Sequence, residues 1–85
     1  MDAFQIVKNP ISTEKAVRLM ESENKLIFIV DRKASKTEIK QALEEIFKIK
    51  ATKINTLINH GVKKAYVTLP KETPAIDLAT QMGLI

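Results

Sequence analysis

A chain of 85 residues, 45% hydrophobic and 28% charged, has room for one globular domain, residues 1–85, and none for a second. With no cysteine and a single histidine, it offers no basis for disulfides, thiolate chemistry or a structural zinc site, and neither a metal nor a cofactor is expected. No apolar run nears the roughly 18 residues of a membrane span, and the N-terminus lacks the basic-then-apolar pattern of a signal peptide, so a cytoplasmic protein is expected.

The net charge of +4 is unevenly placed. Residues 1–31 net −1 and residues 65–85 net −1, whereas residues 32–64 net +6, with nine basic against three acidic side chains. Such segregation points to an anionic partner for the middle of the chain; a lysine-rich solvated surface is the plainer alternative.

Taken in order, residues 4–8 are predicted as a short edge strand, closed by Asn9 and Pro10 because proline interrupts a ladder. Ser12 or Thr13 then caps a helix running to about Glu21, with Ala16, Val17 and Met20 on its apolar side. Residues 25–31 form a strand whose centre, Leu26 to Val30, is apolar on both parities. That pattern predicts an interior strand covered on both faces, with helices on either side.

Ser35 and Glu38 have the spacing of a capping box, opening a helix to about Lys48 whose stripe is Ile39, Ala42, Leu43 and Ile46; Lys36 and Lys40 project away from it. Two strands follow, residues 52–58 and 62–69, joined through Asn59, His60 and Gly61 as a tight hairpin. Alternation places Ala65, Val67 and Leu69 with Ile54 and Ile58 on one face, and Lys53, Asn55, Lys64, Tyr66 and Thr68 on the other. Thr73 caps a last helix with Pro74 at its first position and Ile76, Ala79 and Met82 as its stripe. Gly83 ends it, and Leu84 and Ile85 fold back on the core. The expected class is α+β: a small antiparallel or mixed sheet of three to four strands with three helices packed on it, in the order β-α-β-α-β-β-α.

Catalytic chemistry is hard to assemble from these residues. His60 stands alone in a turn, Glu44 and Glu45 point about 100° apart on a helix, and two distant glycines cannot form a phosphate loop. Binding chemistry is better supplied. Lys53, Asn55, Lys64 and Tyr66 on one sheet face offer phosphate neutralisation, amide hydrogen bonds and a ring able to stack on an unpaired base. Arg32 and Lys33, with Lys36 and Lys40 of the capped helix, extend that basic surface. For Tyr66, packing beneath a helix is the alternative to stacking.

The hairpin also carries a resemblance. Asn55-Thr56-Leu57-Ile58, a short turn, and Lys63-Lys64-Ala65-Tyr66-Val67-Thr68-Leu69 resemble the universal large-subunit ribosomal protein family conventionally numbered 23. Pro10-Ile11-Ser12-Thr13-Glu14-Lys15-Ala16 resembles the family's N-terminal motif. Phe28-Ile29-Val30-Asp31, Ala34-Ser35-Lys36 and Ile39-Lys40-Gln41-Ala42 resemble its middle, and Ala79 to Ile85 resembles archaeal and eukaryotic endings. The likeness runs in register from about Ile6 to Ile85.

The resemblance implies a structural constituent of the large ribosomal subunit that binds its rRNA at the rim of the nascent-peptide tunnel exit. Partners implied with it are neighbouring ribosomal proteins and exit-site factors: the signal recognition particle, chaperones and the translocon. By motif position, Lys63, Lys64 and Asn55 are implied on the RNA side, and Glu14 in factor docking. Bacterial members carry a long basic loop between the hairpin strands and eukaryotic ones a basic N-terminal extension. Asn59-His60-Gly61 leaves no room for the first, and the second is missing, which points to an archaeal-type member. The rival readings are a free-standing protein-interaction module without RNA affinity and, more remotely, a small α/β enzyme of acylphosphatase-like size.

Overall fold

The computed structural model describes residues 2–83. Eight elements follow one another: α1 (Ala3–Ile6), β1 (Val7–Pro10), α2 (Glu14–Glu23), β2 (Lys25–Val30), α3 (Lys36–Phe47), β3 (Lys53–Asn59), β4 (Val62–Thr68) and α4 (Ala75–Gln81). The four strands form one sheet in the order β1-β2-β4-β3, and every neighbouring pair is antiparallel. The α+β class and the alternation of elements are as expected, with one short helix added at the N-terminus.

That helix corrects the expected first strand. Ala3 and Ile6 are buried while Phe4 and Gln5 are exposed, a helical spacing and not the alternation of a strand. The Gln5 side chain accepts the Asp2 N–H at 3.1 Å, closing the turn. β1 therefore starts only at Val7, and it includes Asn9 and Pro10 instead of ending before them. As an edge strand it tolerates proline's missing donor; its register with β2 slips between Val7 and Asn9, and the Ile11 N–H resumes the ladder on the Ile27 carbonyl.

The two central helices begin as their sequences dictate. Thr13 Oγ1 accepts the Ala16 N–H at 3.2 Å to start α2. At α3, Ser35 Oγ accepts the Glu38 N–H at 3.2 Å, and Glu38 Oε1 accepts the Ser35 N–H at 3.1 Å. Asn24 and Lys48 end these helices in the left-handed conformation, at φ 55° and 58°.

β2 sits inside the sheet, as its double-sided apolarity predicts. Leu26, Phe28 and Val30 enter one buried cluster with Ile39, Ala42 and Leu43 of α3, Ile54, Ala65 and Val67 of the hairpin, and Ala75 and Ala79 of α4. Phe28 is fully buried, its ring centroid 5.6 Å from that of Phe47. On the other parity Ile27 is buried too, and so is Ala16 of α2, both outside that cluster.

α4 departs from its expected start. Pro74 occupies the cap position itself, one residue before the first helical turn, and offers no side-chain cap; Asn24 Oδ1 accepts the Ala75 N–H instead. Ala75 and Ala79 are its buried residues, and Ile76, expected in the stripe, is exposed. Gly83 follows with φ 76°, as expected of a helix end; the expected docking of Leu84 and Ile85 lies outside the described residues.

Candidate nucleic-acid interface

β3 and β4 are joined by two residues only, His60 and Gly61, both at positive φ (52° and 77°). This mirror-image turn matches the twist of the strands and locks their register: Asn59 opposite Val62, Leu57 opposite Lys64, Asn55 opposite Tyr66, Lys53 opposite Thr68. Because opposed residues share a face, Lys53, Asn55, Lys64 and Tyr66 stand together on one side of the sheet, as alternation requires. β4 also pairs with β2, so Ile27 lies beside Tyr66 and Ile29 beside Lys64 on that same side.

Coverage changes across this face. Near β2 it is closed, with Ile27 buried; over the hairpin it opens, Tyr66, Asn55 and Lys64 being half-buried and Lys53 and Leu57 exposed. The tyrosine is thus flanked by Asn55 and Ile27, with part of its surface open to solvent. Lys25, opposite Thr68, and the exposed apolar residues Leu57 and Val62 join the same face. Sequence reasoning did not single them out, although strand parity already placed Leu57 beside Asn55.

The other basic residues form two further groups. Lys36 and Lys40 are exposed on α3 and line a shallow cleft with Thr37, Ala51, Thr52 and Ile54, on the helix side of the β3 edge. Arg32 and Lys33 lie in the turn after β2. There Asp31 Oδ1 accepts the Lys33 N–H at 2.8 Å, and the Asp31 N–H is held by the Ile6 carbonyl at 2.8 Å. With Lys8, Lys63, Gly61 and Val62 they line an open cavity of about 340 Å³ at the hairpin end of the sheet.

Lys63 and Lys64, adjacent in sequence, part company. Lys63 lies opposite Ile58 and Val30, on the helix-packed face, and its ammonium donates to the Ala34 carbonyl. Lys64 lies on the open face. Glu14 lies in the first turn of α2, where the helix N-terminus favours an acid; its carboxylate pairs with Arg18 at 2.8 Å, and both side chains are well exposed.

Among the described residues, no group of three or more histidine, aspartate or glutamate side chains is placed to hold a metal ion, and no helix is long and apolar enough to cross a membrane.

The family described as Ribosomal protein L23 matches residues 5–64 of this chain. The chain belongs to that family. A protein named large ribosomal subunit protein uL23 from Trypanosoma brucei brucei is 47% identical over 85 residues, covering 99% of this chain and 52% of its own length. Proteins of the same name from Methanococcus aeolicus and Methanococcus maripaludis are each 46% identical, covering 99% of both chains. The chain thus spans about half the trypanosomal relative and nearly all of the methanococcal ones, so archaeal relatives match it from end to end. The family is one of ribosomal proteins and not of enzymes.

Proposed function

We propose that this chain is a structural constituent of the large ribosomal subunit that binds large-subunit rRNA near the exit of the nascent-peptide tunnel, within the cytoplasm. The observation that carries the reading is the open hairpin face. There a fixed register presents Lys53, Asn55, Lys64 and Tyr66 side by side. The lysines neutralise phosphates, Asn55 supplies a donor and an acceptor, and the accessible part of the Tyr66 ring stacks on an unpaired base. Arg32, Lys33 and Lys63 at the hairpin end, and Lys36 and Lys40 beside the β3 edge, widen the contact to a folded RNA whose backbone passes over several elements. Recognition on this scheme is by shape and phosphate position more than by base edges.

Glu14 belongs to a second part of the proposal. Exposed on α2 and paired only with a neighbour one turn on, it is offered as a docking residue for exit-site factors such as the signal recognition particle. The two-residue turn after β3 gives the hairpin no loop with which to enter the tunnel, so the proposed role is confined to its rim.

The test is binding of the purified chain to large-subunit rRNA across a salt series, with an unrelated structured RNA as control. Tight and selective binding is expected, with log affinity falling against log salt by roughly 0.7–0.9 per phosphate neutralised. Indifference to salt, or equal affinity for the control, would favour the free-standing protein-interaction module.

A further inference from the structure

The two edges of the sheet are built differently. β1 has four residues, a register slip and a proline, all of which blunt an edge against further pairing. β3 has seven residues in unbroken register with β4, no proline, no glycine, and one charge, Lys53, at its start. Nothing in its own make-up protects it.

Which of its backbone groups face outward follows from two bonds. The Leu69 N–H donates to Asn24 on the β2 side of the β4 line, while the Thr68 carbonyl accepts the Thr52 N–H on the β3 side. Odd-numbered β4 residues therefore bond toward β2 and even-numbered ones toward β3. Ile54, Thr56 and Ile58 lie opposite the odd-numbered Val67, Ala65 and Lys63, so their N–H and C=O groups point away from the sheet. They recur about every 6.7 Å, the spacing of alternate residues in another strand. At the distal end Leu57 and Ile58 are both about half exposed, 52% and 53%, which makes the edge apolar on both faces.

We infer that the free edge of β3 receives an extended polypeptide strand from another protein. Backbone pairing of this kind supplies affinity and the alternating side chains supply selectivity. The strand that fits carries apolar residues against Leu57 and Ile58. Toward the other end it carries acidic residues, because Lys48 and Lys50, neither of them part of the proposed RNA surface, are exposed there. RNA gains little from two neighbouring apolar side chains. A second copy brings its own charge of +4 to an edge whose near end is already lined by exposed lysines.

The test places a photo-reactive benzoylphenylalanine at Leu57, Ile58 or Asn59, all exposed, in the full chain expressed in cells, followed by irradiation and mapping of the adducts. Strand pairing makes a specific demand. The three probes must join one protein, at positions that advance residue by residue along one continuous segment, in adducts that survive ribonuclease. Thr56→Pro, which removes an outward N–H, and Ile58→Lys should each abolish them, with circular dichroism confirming that each variant folds. Adducts to RNA alone, to a second copy, to scattered positions, or none at all would overturn the inference. Because the test assumes no site of assembly, co-sedimentation of the tagged chain with large subunits is read separately. A paired strand without co-sedimentation would count against the ribosomal proposal alone, and co-sedimentation without adducts would count against the strand alone.

Discussion

The side-chain oxygen of Asn24 accepts the Ala75 N–H at 2.6 Å, so the residue that ends α2 also caps α4, 51 positions later in the chain. Its side-chain amide shares its two N–H donors among the carbonyls of Leu69, Pro70 and Thr73 at 3.0–3.2 Å, which ties down the turn between β4 and α4. The backbone of Asn24 is left-handed, a conformation asparagine tolerates better than most residues.

Two substitutions separate these roles. Asn24→Ala loses the cap and also the polar side chain that lets asparagine tolerate the left-handed region, and should cost about 2–3 kcal/mol. Asn24→Gly keeps the backbone and loses only the side-chain bonds, costing roughly 1–2 kcal/mol. Urea denaturation reads the difference, and amide exchange in α4 should accelerate in both. Unchanged protection of α4 would show that Asn24 does not hold it.

Lys63 and Lys64 should respond differently to charge reversal. Lys64→Glu, on the open face, is expected to weaken rRNA binding and lower the salt slope by roughly one, with little effect on stability. Lys63→Glu removes the donor to Ala34 and should cost about 1–2 kcal/mol. Paired binding isotherms and denaturation midpoints decide; equal loss of stability in both would contradict the face assignment.

At the hairpin tip, an added Cβ on Gly61 meets nothing within 4 Å, so any cost of Gly61→Ala is conformational. With φ at 77° the substitution should destabilise by about 1–2 kcal/mol. His60→Asn should be neutral or slightly stabilising, since asparagine suits the first position of this turn. A tolerated Gly61→Ala would mean that the turn can re-form in another geometry.

Thr68 carries a buried hydroxyl for which the described structure shows no partner. Thr68→Val keeps the shape and removes the unsatisfied group, so stability should rise by up to about 1 kcal/mol. Thermal melts suffice to check it. A fall of that size would reveal a partner for the hydroxyl, such as a bound water.

What was legible in the sequence was what is local. Ser35 and Glu38 sit three residues apart and settle the start of α3 between themselves; for α2 the sequence narrows the cap to Ser12 or Thr13, and the structure takes Thr13. The hairpin faces follow from a period of two and from one tight turn, so Lys53, Asn55, Lys64 and Tyr66 could be grouped before any coordinates. Motif position grouped Lys63 with Lys64 on the RNA side; the structure parts them, placing Lys63 on the helix-packed face with its ammonium on the Ala34 carbonyl.

What the sequence could not decide depends on partners distant along the chain. Residues 3–6 are short enough to be helix or strand, and packing against α3 settles the choice. Pro10 belongs to β1 only because that strand lies at an edge, where its missing donor faces nothing. Ile76 fell outside the core because α4 turns Ala75 and Ala79 inward, and at its start Asn24 supplies the capping bond that Pro74 cannot. The order β1-β2-β4-β3 puts β4 between two strands that never touch. Sheet order is set by which apolar faces bury together, a condition on the whole chain that no short window of sequence contains.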